Sequence, residues 1–444
     1  MLKQCKAASL LLLCSLFIPV LSACGTNEPP PPTVRHVTVY YVSGNANIDR
    51  ALVEMRQNHD YVQLTTRAFA TASQLGDVLL SEYESNPDVV LFHGHTGQNG
   101  LDVMQLAVEG VFMPLDGFMH DRLDFDWYGF FPGALEAGLV NGDQIFMPAT
   151  FRFPVVTYDQ NRYPGYGTVM ALDDLLDMVR YDSEAFTPAD LRAALLVWPL
   201  WPTNWPVEVS ILAQIMRLYG MEFIDNHLGS TDVDIDLMRS LTTLARFVTE
   251  EDEKTHELSP LLDNQNIWHL ASRASFKWFD GINVPYHILD FHLAQPEPDE
   301  DVEIIFSALS AHRHIVGWIE VFGALTTYAA GNADAFLVLN TLVNIQLSTS
   351  HMNLFGMSVR EDIFEYNVED IISRERCART GRAFEMSETN QQKLSNLHYY
   401  IRGFFIPNPR FERLVDEAFA PYFAGDLSFE HSFEDLVESL REIY

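Results

Sequence analysis

The chain alternates short apolar runs with segments of helical spacing. Val37-Thr-Val-Tyr-Tyr-Val42 is rich in β-branched and aromatic residues and predicts a strand. Ser43-Gly44-Asn45 breaks it, and Ile48 to Met55 then carries apolar positions at helical spacing. Tyr61 to Phe69 predicts a second strand, Ala72 to Tyr83 a helix, Asp88 to Phe92 a short buried strand, and Leu101 to Val108 another helix. Strands alternating with helices at this spacing predict an α/β layer with a mostly parallel sheet. Ligands of such sheets bind beyond the carboxyl ends of the strands. That makes Ser43–Asn45 and His93–Asn99 candidate site loops, with Asn45 and His95 as candidate contacts. Further on, Asn141-Gly142 between Gly138-Leu-Val140 and Gln144-Ile-Phe146 is a strong hairpin signal.

The N-terminus has a different pattern. Lys3 and Lys6 precede an apolar run from Ala7 to Val20, which is shorter than a membrane span requires. Leu21-Ser22-Ala23-Cys24 follows and resembles the lipobox of a bacterial lipoprotein. The resemblance implies that residues 1–23 are a signal peptide and that Cys24 becomes the lipid anchor. Residues 24–33 carry Pro29 to Pro32, a run that favours a semi-rigid polyproline II spacer. An ordinary secretory leader with a chance cysteine is the competing interpretation.

Composition narrows the function classes. The chain has 444 residues, with 48% hydrophobic and 20% charged positions, as in folded proteins. Its net charge is −33, and loss of the leader with its two lysines deepens that. Such a chain repels a phosphate backbone, so nucleic acid is not an expected partner. Of the four cysteines, two lie in the leader, leaving Cys24 and Cys377. A disulfide framework is therefore not expected.

The segment from Phe131 to Asp159 carries the resemblance that organises the rest. It contains Val140-Asn-Gly-Asp-Gln-Ile-Phe-Met-Pro148 and Tyr158-Asp159. Upstream stand Asp88-Val-Val, Leu106-Ala107, Gly110 and Pro114-Leu-Asp116. Together these resemble the family 1 extracellular solute-binding proteins of ABC importers, many of which bind sugars. Gly323 through Leu347 is similar to the family's later strand-and-helix segment. Asp143 replaces the family's common lysine, and Ala330-Gly-Asn-Ala333 matches its next element only loosely.

The resemblance implies a type 2 periplasmic-binding-protein fold, two α/β lobes joined by a crossover hinge. Lobe 1 is expected over 34–153 and 325–352, and lobe 2 over 154–324 and 353–444. It implies a lipid-anchored receptor on the extracellular face of the membrane, with permease subunits as partners. A small solute, a sugar or oligosaccharide, is the implied ligand. No catalytic residue, metal or cofactor is expected. A surface glycoside hydrolase, or a binding-protein fold used as a sensor, are the alternatives.

The resemblance implies aromatic ligand contacts from a loop before a helix, and side-chain chemistry suits that role. Trp198-Pro-Leu-Trp201-Pro-Thr-Asn204-Trp205-Pro precedes a helical pattern from Val207 to Tyr219. An indole offers a flat apolar face and one N–H, which suits a sugar ring. Trp201, Asn204 and Trp205 are therefore candidates, and core packing of the tryptophans is the competing interpretation. Phe276-Lys-Trp278-Phe-Asp280 resembles the family's short strand that places an aromatic in the cleft, which implies Trp278 as a platform with Asp280 as a hydroxyl acceptor; an alternating strand with Trp278 in the core is the competing interpretation. Trp318 stands two residues before Glu320, on one face if the segment is a strand. Arg152 sits between two phenylalanines, where a guanidinium forks onto hydroxyls or a carboxylate. His93-Gly94-His95 lacks nearby helical or thiol ligands, which favours a solvated or ligand-facing loop over zinc. The chain has no His-Glu-x-x-His, no Gly-x-Ser-x-Gly and no phosphate-binding glycine loop.

Overall fold

The computed structural model describes residues 35–81, 86–93, 101–121, 125–153, 155–161, 164–171, 174, 177, 224–225, 232–249, 276–279, 304–310, 314–344, 357–373, 386–406 and 409–441. The N-terminal third follows the predicted alternation. Strand β1 (Arg35–Val42) leads to helix α1 (Ala46–Asn58), then β2 (Val62–Phe69), α2 (Ala72–Leu79), β3 (Val89–His93) and α3 (Val103–Val108). Strand β1 pairs in parallel with both β2 and β3. Thr71 ends the loop before α2 and caps it, its hydroxyl accepting from the Gln74 amide.

The hairpin forms where Asn141-Gly142 predicts it. Strands β4 (Leu139–Val140) and β5 (Asp143–Gln144) pair antiparallel. Asn141 and Gly142 both have positive φ, 54° and 89°. This is the backbone of a tight hairpin turn, and it explains the residue types found there.

Strand β6 (Met147–Arg152) follows the hairpin. It lies antiparallel to β13 (Ile315–Leu325), which lies antiparallel to β3. The edge strand β14 (Met357–Ser358) pairs with β6, and β15 (Ile401–Phe405) pairs in parallel with β13. The sheet runs β14-β6-β13-β3-β1-β2 with β15 as its seventh strand. It is therefore mixed, because β13 runs against β3 and β6 and along β15. Since β6 covers one side of β13, β15 and β3 must share the other. They meet end to end along it near Ile319–Glu320.

A second sheet contains β7 (Val155–Asp159), β8 (Val169–Ala171), β11 (Phe276–Phe279) and β12 (Ile304–Ser310), in the order β11-β7-β12-β8. Between β8 and β11 lies a short antiparallel pair, β9 (Ile224–Asp225) and β10 (Asp232–Val233). The chain passes from first sheet to second between Arg152 and Val155, and returns between Ser310 and Ile315. The expected lobe boundary at 153/154 falls in the first of these breaks. The one at 324/325 falls at the far end of β13, and β14 and β15 also belong to the first sheet. After α4 (Asp116–Asp121) and α5 (Ile235–Thr249), helix α6 (Ala333–Val343) packs against α1 and the first sheet. Helices α7 (Glu361–Ile372), α8 (Glu388–Asn396), α9 (Pro409–Ala424) and α10 (Phe429–Arg441) complete the described chain.

Two polar clusters tie elements together. Arg360, just after β14, is almost buried. Its guanidinium donates to Asp126, Asp362 and the Asn344 amide oxygen at 2.9–3.0 Å. Hydrogen bonding from that guanidinium holds the Asp362 carboxyl below the usual carboxylate range. On α8, Asn390 Oδ1 accepts from the Phe306 amide, and Lys393 reaches β12 and the segment before β8.

Burial pushes the Lys393 amine down from 10.5 to about 8. Between those values the unfolded chain binds the extra proton, so stability rises with pH there. Relief of the burial cost amounts to about 3 kcal/mol at most by pH 10.5. Urea unfolding of the wild type and of Lys393→Met between pH 7 and 10.5 checks this. The wild type should gain stability relative to the methionine variant above pH 8. Parallel curves would contradict the assignment.

Candidate functional site

The carboxyl edge of the first sheet gathers several polar groups. At the end of β1, the Ser43 amide and hydroxyl both donate to the Phe69 carbonyl, at 2.8 and 3.0 Å. This stitches the loop to the end of β2. Gly44, at φ 98°, then turns the chain into α1. Asn45 caps that helix, its Oδ1 accepting from the amides of Asn47 and Ile48 at 3.0 and 3.3 Å. Its side chain is buried.

At the end of β3, His93 Nε2 lies 3.0 Å from the Ser43 carbonyl oxygen. A carbonyl only accepts, so this nitrogen carries the proton in that bond. His93 pairs with Val321 on β13, and Glu320 stands one residue further along. The register against β6 shifts between Ile319 and Val321, so Glu320 is the residue of a bulge. Bulges re-aim side chains and concentrate beside functional sites. Glu320 is only 1% exposed, a buried acid in an otherwise apolar strand.

Trp318 lies opposite Arg152 of β6 and opposite Phe405 of β15. Asn45, Trp318 and the backbone of Arg152 thus belong to one edge of one sheet. Trp318 is 5% exposed, packed within the sheet. Asn45 likewise spends its oxygen on the helix cap. In this state both serve the framework of the edge. Trp278 lies on β11 of the second sheet, opposite Val156 of β7. Trp201, Asn204, Trp205, Asp280, His95 and Cys24 lie outside the described residues.

Sequence reasoning did not single out Arg360 or Lys393. Neither stands in a motif, because both earn their partners from distant segments. Among the described residues, no group of three or more His, Cys, Asp and Glu is placed to hold a metal ion. Among the same residues no helix is long and apolar enough to cross a membrane.

No protein-family model matches the chain, and no curated protein matches its sequence. Solved structures do match over nearly the whole length. The ABC substrate-binding protein Lmo0181 of Listeria monocytogenes, in complex with cycloalternan, is 12% identical with a TM-score of 0.55. The match covers 92% of this chain and 98% of that one. The sugar-binding protein MalE of Xanthomonas citri gives 12% identity and a TM-score of 0.55, over 92% and 97% of the two chains. The cyclic alpha-maltosyl-1,6-maltose binding protein of Arthrobacter globiformis gives 12% and 0.53, over 92% and 98%. The chain, with its two sheets linked by repeated passages, has the fold of the extracellular solute-binding proteins.

Proposed function

We propose that this protein is the solute-capturing component of an ABC importer and that it binds a sugar or oligosaccharide. The observation that carries the reading is the fold similarity, over 92% of this chain, to a protein solved in complex with cycloalternan and to a cyclic alpha-maltosyl-1,6-maltose binding protein. The sequence adds tryptophans whose indole chemistry suits sugar rings, and no catalytic signature. In this reading the lobes divide near 153/154 and again before β13, and they close over ligand by hinge motion at the passages between the sheets. Trp201, Trp205 and Trp278 stack on sugar rings, and Asn204, Asp280, His95 and Arg152 hold hydroxyls. Trp318 and Asn45 brace the edge against which the ligand sits. Cys24 carries the lipid that holds the receptor outside the cell, with the proline run as spacer, and permease subunits receive the ligand.

A thermal-unfolding screen of the chain lacking residues 1–23 against mono- and oligosaccharides tests this. A ligand at about 100 times its Kd stabilises the folded state by roughly 2.7 kcal/mol. A rise of several degrees with at least one saccharide class is expected, with the saccharide recovered intact. Cleaved product would instead indicate a hydrolase. No shift with any saccharide, together with a shift for a peptide or polyamine, would overturn the sugar assignment.

A further inference from the structure

The tip of the β4–β5 hairpin carries a chemically reactive pair. Asn141 and Gly142 are both exposed, and a Cβ placed on Gly142 meets nothing within 4 Å. Among the described residues, none forms a hydrogen bond with the Asn141 carboxamide or the Gly142 amide. Asn141 is also the one residue other than glycine with a positive φ among the described residues.

An asparagine carboxamide is attacked from within its own chain when the next residue leaves its backbone nitrogen open. Glycine does so best, since it has no Cβ to block the approach. The Gly142 nitrogen bonds to Asn141 Cγ, and its proton passes through solvent to the departing Nδ2. The Cγ–Nδ2 bond breaks, ammonia leaves, and a five-membered succinimide closes. Water then opens the ring at either carbonyl. One opening gives aspartate at 141. The other gives isoaspartate, whose main chain runs through Cγ and is one carbon longer. Water is the only co-reactant in the balance.

We infer that Asn141 is a site of spontaneous deamidation in the folded protein, and that isoaspartate there opens the hairpin from its tip. Strand β5 cannot slide to absorb an added carbon. The Gln144 amide donates to the Asp116 carboxylate at 3.0 Å, and the Gln144 carbonyl accepts from the Leu115 amide at 2.7 Å. The Gln144 side chain donates to the Leu135 and Phe146 carbonyls. The extra carbon therefore falls on the Val140–Asp143 pair, one of the two residue pairs of the hairpin. The aspartate product keeps the turn length and adds a negative charge beside the exposed Asp143. Either mark accumulates with the age of the molecule.

Incubation of the folded protein in mildly alkaline buffer, followed by peptide mapping and mass spectrometry, tests the inference. The map separates Asn141 from Asn99, which also precedes a glycine. A synthetic peptide with the sequence of residues 137–146 sets the rate of an unconstrained chain. An exposed turn opens at almost no cost, so Asn141 in the protein should convert within about threefold of the peptide's rate. Asn141→Gln should abolish conversion at this position, and Gly142→Ala should slow it about tenfold through its added Cβ. Isoaspartate at 141 should be detected by an isoaspartyl methyltransferase. Protein enriched in it should melt a few degrees below fresh protein, and Asn141→Asp should lose less. An intact Asn141 in the protein after the peptide has converted would overturn the inference, because the turn would then protect it. Protein rich in isoaspartate at 141 with the midpoint of fresh protein would overturn the claim that the hairpin opens.

Discussion

Replacing Phe151 with alanine is expected to lower stability by about 3–5 kcal/mol, the usual range for emptying a fully buried aromatic site. Phe151 is 0% exposed. Its ring lies 4.9 Å from that of Phe404, 5.9 Å from Phe131, 6.0 Å from Phe153 and 6.2 Å from Phe364. Those neighbours come from the residue just after β6, from β15, from α7 and from the loop before the hairpin, so one side chain ties β6 to three other segments at the edge that leads to the second sheet. Relaxation into the vacated space is limited because Gly317 already lies so close that a Cβ there would meet the Phe151 ring at 2.6 Å. Urea denaturation should show a lower midpoint with an unchanged slope. A loss below about 1 kcal/mol would mean that the aromatic cluster repacks freely, contrary to close-packed interiors.

The second large effect is expected at Gly138. A Cβ on this residue would lie 2.0 Å from the Phe146 carbonyl oxygen and 2.5 Å from Gln144 Nε2. Neither can withdraw without cost. Gln144 Nε2 donates to the Phe146 carbonyl at 2.6 Å and to the Leu135 carbonyl at 2.9 Å. The Gly138 carbonyl in turn accepts from the amides of Ile145 and Phe146. Gly138→Ala must spread the base of the hairpin that launches β6, at a cost of about 3 kcal/mol, the upper end of the usual range for overpacking. Gly142→Ala, at the tip, meets open space but keeps a positive φ of 89°. It should cost only about 1–2 kcal/mol, the conformational penalty alone. Thermal melts of the two variants should separate clearly. Equal losses would show that crowding at Gly138 is absorbed.

Local pattern made the first third of the chain legible. Val37 to Val42, Val89 to His93 and the Asn141-Gly142 turn each report their structure through residues that touch sequence neighbours. The mixed pairing was not legible. Strand β13 reads as an apolar run whichever way it points, and its antiparallel insertion between β3 and β6 is decided by contacts more than 160 residues away. The same holds for Lys393, whose oxygens come from residues 166, 167, 306 and 307. A lysine in Gln-Gln-Lys-Leu looks like a solvated helix position, and only the tertiary fold buries it. Trp318 and Glu320 were legible as a pair on one strand. Their burial was not, since a bulge and a facing strand decide which atoms meet solvent. The site tryptophans are an expectation drawn from residue type and from the family resemblance.

Calorimetric titration of the chain lacking residues 1–23 with gluco- and manno-oligosaccharides tests the central claim most directly. The account predicts saturable binding of one saccharide per chain, with a negative heat-capacity change as the ligand and aromatic faces are buried. Replacing Trp205 or Trp278 with alanine should weaken that binding at least tenfold while leaving the unfolding midpoint unchanged. Absence of heat with every saccharide, from a chain that unfolds cooperatively, would contradict it.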